Sequence, residues 1–178
     1  GILLSSTVLA GKKNNMDFML DKVAFSLTAK KWVKTDTARL QVNVNATLSN
    51  TNLMRMRQDI VKNLNTIAKG SWQITQFKRS QDNSGLEKLY VSAEARVNQS
   101  LLTNVNNIST KVSKPGVKYN VENIDFTPSL AEVEAVKRSV REMLYSQAND
   151  EINNLNKQYP NQKYTLNQLV VLPEGASN

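Results

Sequence analysis

The chain has 178 residues, which is enough for one domain with a real core or two small lobes, and its 40% hydrophobic and 21% charged residues are typical of a globular protein. A formal net charge of +8 makes acidic partners worth considering, but the basic residues are scattered and do not form a nucleic-acid-binding arm. The absence of cysteine and histidine excludes disulfides, thiolate metal sites, Cys/His nucleophiles and histidine-bound zinc or haem. We therefore expect no metal, no cofactor and no nucleic-acid partner.

The chain starts with an apolar run, GILLSSTVLAGKK, that carries no charge before Lys12 and is too short to cross a bilayer. Two interpretations of residues 1–15 stay open: the remnant of an export signal or anchor, or an ordered apolar arm that packs on a neighbouring subunit. Ile2, Leu3 and Leu4 are its candidate interaction residues. We expect residues 16–178 to form a single domain, because no linker divides them.

Two strands are predicted first. Residues 22–33 alternate loosely between apolar and polar side chains, and residues 37–48 alternate almost without fault. In the second strand Gln41, Asn43 and Asn45 share the water-facing side, which makes them candidate interaction residues.

A helix follows, and after it a hairpin. Apolar residues recur at steps of three and four from Leu53 to Ile67, which predicts an amphipathic helix that ends with Gly70 as a left-handed C-cap. Residues 71–77 and 88–97 are predicted strands, and QDNSG at 81–85 supplies the turn residues of the hairpin that includes them.

A second helix, a strand and the longest helix come next. The stripe from Leu101 to Val112 predicts a helix that stops at KPG, residues 114–116. The strand at 117–126 changes parity, which predicts a bulge near Glu122 or Asn123.

The longest helix has two possible starts. Thr127 can cap it with Pro128 in its first position, or Ser129 and Glu132 can form a capping box. The apolar stripe continues to about Lys157, and residues 164–173 predict a closing strand.

This order of elements predicts an α+β fold. We expect mostly antiparallel sheet or sheets, with two medium helices and one long C-terminal helix packed on one face. Because a helix is followed by strands twice, a duplicated α+β unit is one option.

Four stretches together are similar to one family. Asp36-Thr37-Ala38-Arg39-Leu40 resembles a P-D-x-A-x-hydrophobic pattern at the start of a second strand. Residues 90–97, 116–126 and 164–175 follow in the order of that family's central strand, its G-(V/I) strand and its closing strand. The chain thus resembles, as a remote member, the SIMPL-domain family of exported bacterial envelope proteins. The resemblance implies a periplasmic or outer-membrane-associated protein without established catalysis, in which oligomer formation is plausible.

We expect a non-catalytic function. No phosphate-binding loop and no Ser-x-x-Lys motif occurs, and a hydrolase would have to depend on carboxylates such as Asp36, Glu94 and Asp125. Trp32 and Trp72 are either partner anchors or core residues, and their apolar neighbours favour the core.

Three function classes are left, and we rank them. The first is a structural or assembly module of the bacterial envelope that self-associates or joins a larger envelope or secretion complex. A periplasmic binding module for an acidic ligand or surface, including a membrane surface, is the alternative. A carboxylate-based hydrolase comes last.

Overall fold

The computed structural model describes residues 2–12, 22–48 and 52–174, and for residues 2–12 and 174 the description is of the backbone only. The elements in chain order are β1 (Ile2–Lys12), β2 (Ala24–Val33), β3 (Thr37–Leu48), α1 (Leu53–Ile67), β4 (Gln73–Gln81), β5 (Glu87–Asn98), a 3₁₀ helix (Gln99–Asn104), α2 (Val105–Val112), β6 (Val117–Asp125), α3 (Leu130–Gln158) and β7 (Leu166–Glu174). Every strand pair is antiparallel. The α+β prediction is confirmed.

The chain divides into two compact units. Unit 1 combines residues 1–34 and 128–178, and unit 2 consists of residues 35–127. We expected a single domain from residue 16. No linker in the sequence marks the boundaries between the two units, because unit 2 is inserted between β2 and α3 through short connections.

Unit 2 is a four-stranded sheet in the order β4-β5-β3-β6, with its core on one face. Apolar side chains of β3 and β5 meet those of α1, and Val105 of α2 is fully buried beside them. The alternation of β3 explains this, since successive side chains of a strand point to opposite faces. Leu40, Val42 and Val44 are completely buried, whereas the side chains between them stay partly or fully exposed.

Gly70 does not cap α1. The helix ends at Ile67, Ala68 is its C-cap in an extended conformation, and Gly70 has no left-handed backbone. Glycine is required there by close packing: a Cβ at this position would lie 3.1 Å from Val97 Cγ1 and 3.3 Å from the Arg96 carbonyl oxygen. The sequence prediction was wrong about the reason for the glycine.

The predicted hairpin and bulge are both present. Gly85 has φ +83° in the turn between β4 and β5, where the Asp82 carboxylate accepts from the Ser84 and Leu86 backbone N–H groups. The pairing of β3 with β6 shifts between Gln41 and Val42, and Glu122 is the extra residue opposite the shift. The bulge is therefore where the change of parity predicts it.

Unit 1 is a three-stranded sheet in the order β2-β1-β7, with α3 packed on β2 and β1. Val140 and Leu144 of α3 are completely buried and meet Ala29 of β2. Residues 1–15 were expected to be an arm or a signal remnant, but over Ile2–Lys12 the backbone is the central strand of this sheet.

The start of α3 follows the second of the two predicted alternatives. Ser129 is the N-cap, its side chain accepts from the Glu132 backbone N–H, and the Glu132 carboxylate accepts from the Ser129 N–H at 2.7 Å. Thr127 lies outside the helix, where its backbone N–H donates to the Asp125 carboxylate.

Candidate functional site on the polar face of the four-stranded sheet

The face of the unit 2 sheet that lies opposite α1 and α2 is polar, and we call it the polar face. Gln41, Asn43 and Asn45 of β3 lie on it, because their alternation is out of step with the buried residues of the same strand. Gln41 and Asn43 are partly buried, and Asn45 is exposed. The interaction residues predicted on β3 thus share one face and one strand.

Antiparallel pairing extends this face into rows across all four strands. In one row Lys78 pairs with Tyr90, Tyr90 with Asn45, and Asn45 with Lys118. Neighbouring strands lie about 4.8 Å apart, so this row places an aromatic ring and an amide between two lysines. The sequence predicted the contribution of β3 only, because the register of the other strands cannot be obtained from one strand's alternation.

Asn43 occupies the centre of the next row, where it pairs with Ser92 of β5 and Asn120 of β6. Its side-chain oxygen is buried, and among the described residues it has no hydrogen-bond partner. Ser92 beside it is 4% exposed and accepts a bond of 3.2 Å from the Gln41 amide. A buried acceptor without a donor is destabilising by about 1–3 kcal/mol, so Asn43 holds an unused acceptor in the middle of its row.

A groove of about 950 Å³ lies around the end of the sheet where β3 ends and β6 begins, and it is lined by the polar face on one side and by α2 on the other. Its lining includes Lys88, Lys114 and Lys118, together with Tyr90 and Asn45, and no Asp or Glu is among the described residues that line it. The turn before β6 shapes one wall: Gly116 has φ +86°, and its carbonyl oxygen accepts from the Thr47 N–H at 2.8 Å. The basic and polar lining of the groove therefore suits a ligand that carries negative charges and hydroxyl groups.

Lys88 has one acidic neighbour outside the groove. The Lys88 ammonium lies 3.9 Å from the Asp82 carboxylate. Hydrogen bonds from Ser84 and Leu86, followed by the charge of Lys88, hold the pKa of Asp82 below its usual value. Asp82 therefore stays ionised and keeps the hairpin turn closed beside the groove.

Two of the candidate carboxylates meet at the opposite end of the polar face. The Arg39 guanidinium lies 3.8 Å from Glu94 and 3.4 Å from Asp125. Hydrogen bonds from Thr127, with smaller contributions from Arg39 and Arg96, lower the pKa of Asp125. A general acid needs a raised pKa, so Asp125 is better suited to holding β6 against β3 through Arg39 than to donating a proton.

Asp36 is exposed, and its recorded contact is made by its backbone. Its carbonyl oxygen accepts from the Gln99 N–H at 2.8 Å. The bond that shapes the turn before β3 is accepted by the Thr35 hydroxyl from the Thr37 N–H. A threonine, and not the acid, therefore makes the local side-chain bond at this turn.

The two tryptophans have different environments. Trp72 packs against the unit 2 core and donates to the Ala68 carbonyl oxygen at 2.9 Å, as the core interpretation expects. Trp32 is 56% exposed on β2. The core interpretation was wrong for Trp32, because it alternates with Val33 and so lies on the other face of the sheet from the buried Ala29 and Val33.

The candidate residues Ile2, Leu3 and Leu4 are known by their backbone positions, and their side chains lie outside the described part. Their Cα partners on β2 are Val33, Trp32 and Lys31. They therefore belong to the three-stranded sheet rather than to a separate arm.

Comparison with known proteins finds a bacterial relative of this chain. The chain is 33% identical over 152 residues to an uncharacterized protein of Coxiella burnetii, and the match covers 85% of this chain and 67% of the relative. The chain belongs to the family of that Coxiella protein. No protein-family profile and no solved structure matches the present chain.

Two further findings apply to this member of the family. Within residues 2–12, 22–48 and 52–174, no helix has the length and apolar character needed to cross a membrane. Across the same residues, no group of three or more Asp or Glu side chains is arranged to hold a metal ion.

Proposed function

We propose that this protein is a non-catalytic module of the bacterial cell envelope that self-associates through the three-stranded sheet of unit 1. The SIMPL-like stretches support export to the periplasm or outer membrane, and a relative from the bacterium Coxiella burnetii agrees with a bacterial setting. The observation that carries the proposal is the unpaired edge of β7.

The β7 edge has little of the usual protection of an edge strand, because its bulge at Asn167 and its Pro173 lie near the two ends of the strand. In the part of the chain that the structure describes, β7 pairs with β1 on one side and with no strand on the other. Its sequence from Leu166 to Leu172 contains no charged residue. The edge strand β4 of unit 2 is different, because it carries Lys78 and Arg79 and a register shift after Ile74. Charges and bulges prevent edge-to-edge pairing, and between Gln168 and Leu172 the β7 edge has neither.

Both faces of β7 are also incompletely covered. The helix α3 packs chiefly on β2 and β1, so Leu169 and Val171 are only partly buried beneath it. On the other face Val170 and Leu172 are 38% and 48% exposed. A partner strand placed beside β7 would cover apolar area on both faces at once.

A second copy of the chain is the partner that fits this edge. Antiparallel pairing of β7 with its own copy would create a six-stranded sheet with two-fold symmetry, and it brings no like charges together between Leu166 and Leu172. The regular, uncharged stretch from Gln168 to Leu172 gives an edge about 17 Å long at 3.4 Å per residue, which is the length of an ordinary strand.

The test is the oligomeric state of the wild-type chain and of Val170→Lys, measured by light scattering over a range of concentrations. We expect a wild-type dimer and a monomeric Val170→Lys, because the added charge lies at the seam. Gln76→Lys on the already charged β4 edge is the matched control and should stay dimeric. A wild-type chain that is monomeric at its highest soluble concentration would overturn the proposal.

Leu172→Lys guards against a folding defect in the first variant. Leu172 is more exposed than Val170, so its replacement costs the fold less. Dimers that persist in both variants, each with a native circular dichroism spectrum, would show that association uses another surface.

A further inference from the structure

We propose that the polar face of unit 2 binds an anionic glycan, a sugar chain that carries carboxylate or sulfate groups, at the end where the groove lies. This site is separate from the β7 edge, since all the residues that form it belong to residues 35–127. The glycan-binding proposal therefore does not depend on the proposed self-association.

The charge of the site calls for an anion. Lys78 and Lys118 lie at the two ends of one cross-strand row, and Lys88 lies two residues from Tyr90 on the same face of β5. All three lysines are exposed. In the described part of the chain neither Lys78 nor Lys118 has an ion pair, so their charges are available to a ligand. Lysines held about 14 Å apart by three strand spacings suit an extended chain with repeated charges.

The neutral groups of the site call for hydroxyls. Asn45, Asn120 and Gln41 present amides, each of which can donate and accept, as a sugar hydroxyl does. The buried Asn43 oxygen needs a donor, and none of the described residues supplies one. A ligand hydroxyl placed over the Asn43 row would satisfy it once the Asn43 side chain turns its oxygen outward.

The aromatic content favours a glycan over single-stranded nucleic acid. Tyr90 is the one aromatic residue that the register places on the polar face of the described sheet. Proteins that bind single strands stack successive bases on several rings, whereas one ring is sufficient to pack against one sugar.

The experiment is calorimetric titration of the full chain with two probes, tetragalacturonate and a heparin tetrasaccharide, beside neutral cellotetraose and a thymidine tetranucleotide. We expect saturable binding of at least one charged glycan, weaker binding of the tetranucleotide and none of cellotetraose. Binding should weaken as salt rises, because the lysines are exposed. Failure of both charged glycans to bind, or tighter binding of the tetranucleotide, would overturn the proposal.

Three variants separate a built site from general attraction to a basic protein. Lys78→Gln with Lys118→Gln should weaken glycan binding about tenfold, the combined size of two exposed charge contacts. Arg57→Gln with Lys69→Gln removes the same charge from the region of α1 and should leave binding unchanged. Equal loss in both double variants would show that net charge alone is responsible and would contradict the site.

Asn43→Leu gives a readout that electrostatics does not predict. Removing the unpaired buried oxygen should raise the urea midpoint of the free protein, while glycan affinity falls because the acceptor is lost. A variant that is more stable and binds as well as the wild type would show that Asn43 lies outside the site.

Discussion

The Asn63 side-chain amide donates a hydrogen bond of 3.0 Å to the Tyr119 hydroxyl, which joins α1 to β6 across the edge of the unit 2 core. Burial raises the pKa of Tyr119, with a further increase from the nearby Asp59, while the Asn63 bond acts in the opposite direction. Because the pKa of Tyr119 differs between the folded and unfolded chain, the stability of unit 2 depends on pH.

The sign of that dependence follows from the raised pKa. The unfolded chain loses the Tyr119 proton near pH 10, whereas the folded chain keeps it to higher pH. The Tyr119 contribution is complete below pH 10 and is lost as pH rises from there through the folded pKa. We expect the urea midpoint to fall more between pH 8 and pH 11 in the wild type than in Tyr119→Phe. Equal falls in the two proteins would contradict the assignment.

The capping box of α3 should be measurable by replacing either candidate cap. Ser129→Ala removes the acceptor for the Glu132 N–H and should cost about 0.5–2 kcal/mol of unfolding free energy. Thr127→Ala, the control, should cost less, because Thr127 lies before the helix and its backbone bond to Asp125 is kept. Chemical denaturation of both variants decides between the two starts, and a larger loss for Thr127→Ala would favour the start that the structure rejects.

Gly70 should tolerate a methyl group only if its neighbour makes room. Gly70→Ala places a Cβ 3.1 Å from Val97 Cγ1, and overpacking of this kind costs about 1–3 kcal/mol. In the background of Val97→Ala the same change should cost less, since the contacting methyl is gone. A double-mutant cycle in urea measures the coupling, and additive losses would mean that the carbonyl oxygen of Arg96 sets the limit.

The core of unit 2 should be far more sensitive than the surface of the same helix. Leu64 of α1 is completely buried, and Leu64→Ala should cost about 2–5 kcal/mol through the lost burial and the cavity left behind. Met54→Ala, at a position that is 70% exposed, should change the unfolding free energy by less than about 0.5 kcal/mol. Similar losses would mean that α1 does not pack on the sheet as the structure has it.

The local structure was predictable to the extent that it depends on neighbours in sequence. The strict alternation of Leu40, Val42 and Val44 predicts a strand with one buried face, and the turn residues around Gly85 predict the hairpin. Even the bulge at Glu122 was predictable, because a one-residue slip moves every later side chain to the other face.

The roles of Gly70 and Trp32 depend on contacts between residues that are distant in the sequence. Gly70 was assigned to a helix end because a glycine after an apolar stripe is usually a C-cap, and only the approach of Val97 shows its packing role. Trp32 looked like a core residue beside Val33, although its parity places it on the uncovered face of a sheet whose central strand is β1.

The sequence alone thus determined the elements, the α+β class and the polar character of β3, since these follow from periodicity and from the turn preferences of single residues. Only the tertiary structure decided that the chain forms two units, that Lys78, Tyr90, Asn45 and Lys118 share one row, and that no strand of the described residues pairs with the outer edge of β7. Strand order and register depend on which distant segments pair, and the periodicity of one strand carries no information about its partner.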